Sequence, residues 1–162
     1  MHHEINNTAM VEAMEQVIEH GMEGLSGAMT ILLNEAMKIE RSRVLQASPW
    51  ERTEQRLGYA NGYKDKALDT RLGRLQLSIP QVRGDVSFYP SALERGLRSE
   101  RALLLAMAEM YVKGVSTRKV QDVLQKLCGL EITATQVNRA CEKLDQEIEQ
   151  WRNRPLVTCH IS

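Results

Sequence analysis

The side chains best suited to chemistry in this 162-residue sequence lie on one predicted helix that follows Thr133. Its outward positions are Thr135, Gln136, Asn138, Arg139 and Lys143. Arginine can donate two parallel hydrogen bonds to guanine, and asparagine or glutamine can pair with adenine. Arg118 and Lys119 lie early in the preceding predicted helix, where cations and helix N–H groups suit phosphates. The pattern predicts base contacts from one helix and backbone contacts from the other, and an ordinary solvated surface is the alternative.

A second set of candidate residues comes from the basic middle of the chain. Residues 61–130 hold 12 Lys and Arg against 7 Asp and Glu, whereas residues 1–60 hold 5 against 9. The whole chain is neutral, with 21 of each sign, so the asymmetry and not the net charge favours a nucleic-acid partner. The predicted backbone-binding patch consists of Lys64, Lys66, Arg71, Arg74 and Arg83, with Tyr59 and Tyr63 beside it. A solvated mixed surface fits the same charges.

Other side chains that could bind metal or act as catalysts are poorly spaced for either role. Cys128, Cys141 and Cys159 form no CxxC pair, and the four His residues lie near the two ends of the chain. We therefore expect no metal ligands and no catalytic residues in this chain. No apolar run approaches the roughly 20 residues of a membrane span. An odd number of cysteines without a signal peptide indicates a reducing cytoplasm.

Helical periodicity opens the sequence. Val11, Met14 and Ile18 recur at helical spacing, and residues 25–45 repeat the pattern. The apolar stripe of the second segment consists of Leu25, Met29, Leu32 and Ala36. We predict a helical hairpin over residues 1–48. Core packing and self-association both fit its methionine-rich face, because methionine suits adaptable interfaces as well as gaps in cores.

The period changes from 3.6 to 2 in the middle of the chain, after a predicted polar linker at residues 49–66. Leu75, Leu77 and Ile79 alternate with polar residues, which is typical of a half-buried strand. The segments ALDTR and VSFYP on either side can pair with it. We predict an antiparallel meander of three short strands over residues 67–92.

Three amphipathic helices are predicted in a bundle over residues 93–154. Ser116 and Thr133 suit the N-caps of the second and third helices, Gln136 completes a capping box with Thr133, and Gly129 follows a helix end. The predicted buried stripes are Leu103, Leu104, Met107, Met110 and Tyr111; Val120, Val123, Leu124 and Leu127; and Val137, Cys141, Leu144, Ile148 and Trp151. A short helix, a turn and a longer helix predict a helix-turn-helix. The expected fold class is mainly α with a small antiparallel β meander (α+β).

Several stretches of the sequence resemble the mutator-type transposases of bacterial insertion sequences. The resemblance is carried by ERALLLAMAEMYVKGVSTRKVQDVLQKLCG, TQVNRACEKLD and WRNRPL, and by NGYKDKALDTRLGRLQLSIPQVRGDVSFYPSALERGLRSERALLLA. It covers nearly all of residues 25–156, in order. The combination of EMYVKGVSTRKV with WRNRPL is specific to the family.

The resemblance implies a role in DNA transposition. Such enzymes recognise the terminal inverted repeats of their element, and they cut and join strands with a domain that carries an Asp-Asp-Glu triad and divalent metal, expected to be magnesium. After RPL the family continues into strands that bear the first catalytic Asp, whereas this sequence continues with VTCHIS. We expect a chain truncated before the catalytic domain, with a divergent tail at 155–162 and no cofactor of its own.

The expected partner is therefore double-stranded DNA at the element ends, bound without strand transfer by a cytoplasmic, nucleoid-associated protein. A homo-oligomer or a complex with full-length transposase is the expected assembly of the N-terminal hairpin. Two alternatives remain open: a protein-interaction module that inhibits full-length transposase, and an inert pseudogene product.

Overall fold

The computed structural model describes residues 7–153, apart from the side chains of Asn7, Leu144, Glu147, Ile148, Gln150 and Trp151. The elements are α1 (Asn7–His20), a 3-10 turn (Gly21–Gly24), α2 (Leu25–Leu45), β1 (Tyr59–Thr70), β2 (Gly73–Arg83), α3 (Arg101–Val112), α4 (Thr117–Cys128) and α5 (Ala134–Arg152). The predicted class, mainly α with a small antiparallel sheet, is confirmed. The chain divides into two compact units between Glu100 and Arg101, called here the N-terminal and the C-terminal unit.

Helices α1 and α2 approach each other through small residues. Ala13 and Ala28 are buried, and Gly24 at the end of the 3-10 turn is buried as well. A Cβ atom at Gly24 would overlap the backbone oxygen of Gln16, so only glycine permits this approach. The large apolar side chains of α1 are not needed for the contact and lie on its outer side.

The buried face of α2 differs from the predicted stripe. Met29 and Leu32 are exposed, whereas Met37 and Leu45 are buried. The reason is that α2 has two neighbours: it packs against α1 and also against β2. The buried positions follow those two contacts, which a single apolar periodicity cannot describe.

Strands β1 and β2 form a two-stranded antiparallel hairpin whose turn lies between Thr70 and Gly73. The strand predicted from alternation is confirmed, since Leu75, Leu77 and Ile79 are all buried. Met37 and Leu93 complete the core beneath it, and Leu33, Leu68 and Tyr89 pack against its edge. This cluster is the main core of the N-terminal unit.

The predicted linker at 49–66 is wrong over its last part, because β1 begins at Tyr59. Every residue from Tyr59 to Asp65 is exposed, so this part of the strand carries no apolar alternation that could reveal it. The Asn61-Gly62 pair lies in an irregularity of the strand pairing between Ala60 and Tyr63 and does not reverse the chain.

The third strand of the predicted meander is also wrong. Residues 85–90 form no strand, and Tyr89 packs on the core beneath the hairpin. The chain pairs with β1 further on: the Asp69 N–H donates to the Arg98 carbonyl at 2.9 Å, and the Glu100 N–H donates to the Asp69 carbonyl at 2.7 Å. The segment covers the apolar face beneath the hairpin and does not extend the sheet.

The C-terminal unit consists of α3, α4 and α5 around one apolar core. Its buried members are Leu103, Met107, Val120, Leu124, Leu130, Ile132, Val137 and Ala140. The predicted caps of α4 are confirmed: the Ser116 hydroxyl accepts a hydrogen bond from the Lys119 N–H at 3.4 Å, and Gly129 ends the helix with φ of 63°. Gln121 Nε2 donates to the Ile132 carbonyl at 2.6 Å and so ties α4 to the turn before α5.

Three predicted core positions of this unit lie at the surface. Tyr111, Val123 and Leu127 are exposed, because each stands at the edge of a stripe that needs only its central residues. The side chains of Leu144, Ile148 and Trp151, which belong to the predicted α5 stripe, lie outside the described part of the structure, as does the predicted tail at 155–162. Between residues 7 and 153, no helix combines the length and the apolar character that a membrane span requires.

Candidate nucleic-acid interface

The start of α5 is set by a reciprocal pair of hydrogen bonds. The Gln136 N–H donates to Thr133 Oγ1 at 3.3 Å, and the Thr133 N–H donates to Gln136 Oε1 at 2.8 Å. The Thr133 hydroxyl also lies 3.0 Å from Gln136 Oε1. This is the predicted capping box, and it satisfies N–H groups that a helix start would otherwise leave without partners.

The exposed face of α5 carries most of the predicted base-reading residues. Thr135, Asn138, Arg139 and Lys143 are exposed at positions i, i+3, i+4 and i+8, which lie on one side of a helix. The same side carries Glu142, whose carboxylate opposes the two cations. Val137 and Ala140 point the other way, into the core. The local sequence therefore brings four of the five predicted residues onto one surface.

Gln136 differs from the other four. It is half-buried, and its side-chain oxygen is occupied by the capping box. An oxygen that already accepts from Thr133 is not available to pair with the amino group of adenine. Gln136 therefore stabilises the start of α5 and stands apart from the exposed face.

Arg118 and Lys119 lie in the first turn of α4, directly after the Ser116 cap, and both side chains are exposed. The backbone N–H of Lys119 is bound by the cap. Among the described residues neither cation has an ion-pair partner. Both side chains therefore retain their charge for a ligand.

In the N-terminal unit the predicted backbone patch separates into residues with different roles. Arg71 pairs with Glu100 through Nη2 at 2.8 Å and through Nε at 3.0 Å, and its backbone N–H donates to the same carboxylate. Arg74 Nε donates to Asp69 Oδ1 at 2.6 Å, and Asp69 is buried. Arg71 joins the hairpin to the returning chain, whereas Arg74 pairs across the two strands of the hairpin itself. The charges of both arginines are compensated within the protein.

The Arg71–Glu100 pair changes the titration of both groups. The hydrogen bond and the negative charge of Glu100 raise the pKa of Arg71 above its ordinary value. Partial burial acts to raise the pKa of Glu100, but the hydrogen bonds and charge of Arg71 outweigh it and the net direction is downward. Both groups are therefore charged near neutral pH, and the pair holds the end of the returning segment.

The remaining three cations of the patch are placed differently. Lys66 donates to the Tyr89 hydroxyl at 3.1 Å and to the Glu94 carbonyl at 3.3 Å. The Arg83 guanidinium lies 5.7 Å from the Tyr59 ring centroid. Lys64 is exposed. Lys64, Lys66 and Arg83 are thus the residues of the predicted patch whose positive charge remains at the surface.

Local sequence patterns did not predict two further basic residues of this unit. Arg95 and Arg98 come from the segment after β2, and with Lys64 and Lys66 of β1 they line a groove of about 700 Å³. Arg95 and Arg98 lie in a Gly-containing loop whose composition shows only that it is polar. Their approach to β1 depends on pairing between distant residues, which no local pattern reports.

The described residues do not offer a site for a metal ion. Between residues 7 and 153 no three His, Cys, Asp or Glu side chains lie close enough together to hold one. They therefore do not fit the divalent ions that the family's catalytic domain would hold.

Burial, and then the charge of Asp145, raises the pKa of the Cys141 thiol, which packs against the core of the C-terminal unit.

Comparisons with known proteins all indicate the same family. The family model described as "Transposase, Mutator family" matches residues 1–161. The transposase for insertion sequence element IS406 of Burkholderia multivorans is 52% identical over 154 residues, which are 94% of this chain and 39% of that protein. The transposase for IS256 in transposon Tn4001 of Staphylococcus aureus is 36% identical over 94% of this chain and 40% of that protein.

A more distant relative agrees with these two. The transposase for IS1081 of Mycobacterium tuberculosis is 30% identical over 88% of this chain and 34% of that protein. The chain therefore spans roughly a third to two fifths of the length of these curated relatives. Because the family match covers almost every residue, the chain belongs to the mutator family of transposases.

Proposed function

We propose that this chain recognises the terminal inverted repeats of an insertion sequence as double-stranded DNA. In this proposal α4 and α5 act as a helix-turn-helix, with α5 as the recognition helix in the major groove. The proposal assigns DNA recognition, and not strand transfer, to residues 7–153.

The observation that carries the proposal is the exposed face at the start of α5. A capping box begins the helix, and Thr135, Asn138 and Arg139 follow on its solvent side within the first two turns. Recognition helices contact base edges with their N-terminal residues, and arginine and asparagine have the donor patterns that match guanine and adenine. Membership in a transposase family supports DNA as the ligand.

The distribution of charge along α5 supports DNA contact through the N-terminal part of the helix. Arg139 and Lys143 are exposed, and after them come Asp145 and Glu149, which are also exposed. Carboxylates repel phosphates, so a duplex that follows the helix to its C-terminus would meet an unfavourable charge. Arg118 and Lys119 of α4 supply cations for the backbone contacts that orient the helix.

The experiment compares two duplexes by fluorescence anisotropy across a salt series. One duplex carries the end of the element that encodes this chain, and the other has the same composition in shuffled order. The test variant is Asn138→Ala with Arg139→Ala. The matched control is Arg152→Ala with Asn153→Ala, which removes the same residue types from the far end of α5, where both are exposed.

The unmodified chain is expected to bind the element end more tightly than the shuffled duplex. Asn138→Ala with Arg139→Ala should reduce this ratio by roughly 10-fold or more, because a good bidentate base contact contributes about 1–3 kcal/mol of discrimination. The control should leave the ratio unchanged. Equal affinity of the unmodified chain for both duplexes, or equal effects of the two variants, would contradict the proposal.

A second candidate function is association of two copies through α1. Val11, Met14 and Ile18 form a stripe at helical spacing along α1, and Met22 follows in the 3-10 turn. Ile18 and Met22 are 80% and 79% exposed. Within the described residues no element covers the stripe, because Ala13 is the buried residue of α1 and the following turn approaches α1 at Gln16 through Gly24. An apolar stripe of this kind marks an association site. The same stripe on a second copy is self-complementary, as a twofold interface requires.

The test of this second function is sedimentation velocity over a range of concentrations. Met14→Glu with Ile18→Glu places charges on the stripe and should convert a dimer into a monomer. Leu127→Glu is the control, because Leu127 is an equally exposed apolar residue of the C-terminal unit, at 74%. A chain that is monomeric throughout, or a dimer unaffected by the α1 variant, would remove α1 as a self-association surface.

A further inference from the structure

We propose that the groove between β1 and the segment that follows β2 binds the phosphodiester backbone of DNA, as a second contact independent of α5. The choice of DNA as the polyanion rests on the proposed function. The site lies entirely in the N-terminal unit, and its ligand class follows from the groove itself. We call it the hairpin groove and define its charged lining as Lys64, Asp65, Lys66, Arg95 and Arg98.

The charge of the hairpin groove is strongly positive. Four of its charged side chains are cations and one is a carboxylate, which leaves a net charge of +3. Lys64 and Arg98 are exposed, and within residues 7–153 neither side chain has an ion-pair partner. The Asp65 carboxylate accepts a hydrogen bond from the Ser78 hydroxyl at 3.3 Å. An anionic ligand would replace water around cations that the protein does not itself neutralise.

The two walls of the hairpin groove are held together before any ligand arrives. Asp69 in β1 exchanges backbone hydrogen bonds with Arg98 and Glu100 at 2.9 and 2.7 Å. Arg74 pairs with the Asp69 side chain, and Arg71 pairs with Glu100. These contacts place Arg98 beside β1 and reduce the ordering that binding would require. The Arg71–Glu100 pair and the backbone bonds of Asp69 thus join the two walls, and other cations line the groove.

Tyr89 lies on the inner side of the groove, and its contacts favour a phosphate ligand over a nucleobase. The Arg95 guanidinium lies 4.9 Å from the ring centroid and the Lys66 ammonium 5.8 Å. Lys66 also donates to the Tyr89 hydroxyl, which donates to the Glu94 carbonyl at 3.3 Å. A ring already occupied by two cations is a poor platform for a nucleobase. The groove therefore contacts the backbone and carries no sequence information.

The size of the groove limits what enters it. Its volume of about 700 Å³ is that of an ordinary small-molecule cleft. It accommodates a short run of phosphates from one strand and not a whole double helix. The hairpin groove would therefore hold one edge of a duplex and add affinity without specificity.

The test uses the full chain, the shuffled duplex and a salt series. Lys64→Gln with Arg98→Gln removes two exposed cations of the groove that make no side-chain hydrogen bond within the described structure, so the fold should not change. The matched control is Arg43→Gln with Arg52→Gln, two exposed cations elsewhere in the same unit. Equal melting temperatures of both variants and the unmodified chain, measured by circular dichroism, would verify the fold.

The slope of log affinity against log salt is negative, and each phosphate contact contributes about 0.9 to its magnitude. The groove variant is therefore expected to reduce that magnitude by about 1.8. This corresponds to roughly 60-fold weaker binding at 0.1 M salt if the affinities converge at 1 M. The control should change the slope little. The charge-conserving variant Lys64→Arg with Arg98→Lys should keep most of the slope of the unmodified chain.

Equal slopes for the groove variant and the control would overturn the inference. That outcome is separate from failure of the proposed function, which is read from the ratio of affinities for the element end and the shuffled duplex. The groove variant should leave that ratio unchanged. A groove variant that changes the ratio but not the slope would also overturn the inference, since it would make the groove a base-reading site.

Discussion

Thr133 and Gln136 exchange hydrogen bonds at the start of α5, with the Gln136 N–H on Thr133 Oγ1 at 3.3 Å and the Thr133 N–H on Gln136 Oε1 at 2.8 Å. The sequence pattern predicted both this cap and a base-reading role for Gln136. The geometry separates the two roles, because the side-chain oxygen engaged in the cap is the one that would accept from adenine.

Replacing Thr133 with Ala should destabilise the C-terminal unit by about 0.5–2 kcal/mol, the usual cost of losing an N-cap side chain. Chemical unfolding followed by circular dichroism measures the change. Thr135→Ala is the control: Thr135 is exposed just inside the same helix, and its loss should cost less than about 0.5 kcal/mol. Equal costs for the two variants would mean that the cap does not stabilise α5.

Gln136→Glu should preserve the cap and leave discrimination between DNA sequences unchanged. Glutamate occupies the same position in a capping box, and a negative charge is favourable at a helix N-terminus. Its charge should weaken binding to all duplexes by a similar factor. Anisotropy on the element end and the shuffled duplex measures both effects. Loss of discrimination comparable to that of Asn138→Ala with Arg139→Ala would return Gln136 to the base-reading set.

Glu142→Gln should strengthen DNA binding for both duplexes. Glu142 is exposed at i+3 from Arg139, on the side of α5 that carries the two cations, and its carboxylate would oppose nearby phosphates. The gain should be several-fold at low salt and should shrink as salt is added, because exposed charges are screened. Glu54→Gln, an exposed residue of the other unit, provides the charge-matched control. An unchanged affinity would place the duplex away from this part of α5.

Two leucines of α4 should respond very differently to truncation. Leu124 is 3% exposed in the core and Leu127 is 74% exposed. Leu124→Ala should lower the free energy of unfolding by about 2–5 kcal/mol, through lost burial and the cavity left behind. Leu127→Ala should change it by less than about 0.5 kcal/mol. Similar losses would show that Leu127 is covered in solution, for example by a second copy.

The Arg71–Glu100 pair should make the N-terminal unit sensitive to acid. The pKa of Glu100 is lowered in the folded chain. Its contribution is therefore complete above the ordinary glutamate pKa of about 4.3, and it is lost as pH falls through the lowered folded value. Arg71 stays protonated throughout this window. The melting temperature of Glu100→Gln should lie below that of the unmodified chain at pH 7, and the difference should narrow as the pH falls below about 4.3.

Glu54→Gln controls for the change of net charge in this experiment, since Glu54 is exposed. It should leave the difference between pH 7 and pH 3 as it is in the unmodified chain. A gap between Glu100→Gln and the unmodified chain that stays as wide in acid as at pH 7 would contradict the predicted sign, because it would require a stabilising contact independent of the ionised carboxylate.

The part of the fold that the sequence predicted well is the part that depends on near neighbours. Ser116, Gly129 and the Thr133–Gln136 box mark helix ends through hydrogen bonds within four residues, and all are confirmed. The alternation at Leu75, Leu77 and Ile79 reports one buried face of a strand. The exposed half of β1 had no such pattern, so the strand was predicted to begin too late.

By itself, the sequence determined the helix ends, the buried strand and the family, because each depends on residues close along the chain or on motifs in order. Only the tertiary structure decided which side of α1 is covered, since that follows from the burial of Ala13 and Ala28 and from the close approach of Gly24 to Gln16 of α1. It also decided which cations remain available. Whether an arginine is paired or exposed depends on Asp69 meeting Arg98 and Glu100, a contact between distant residues that no local pattern encodes.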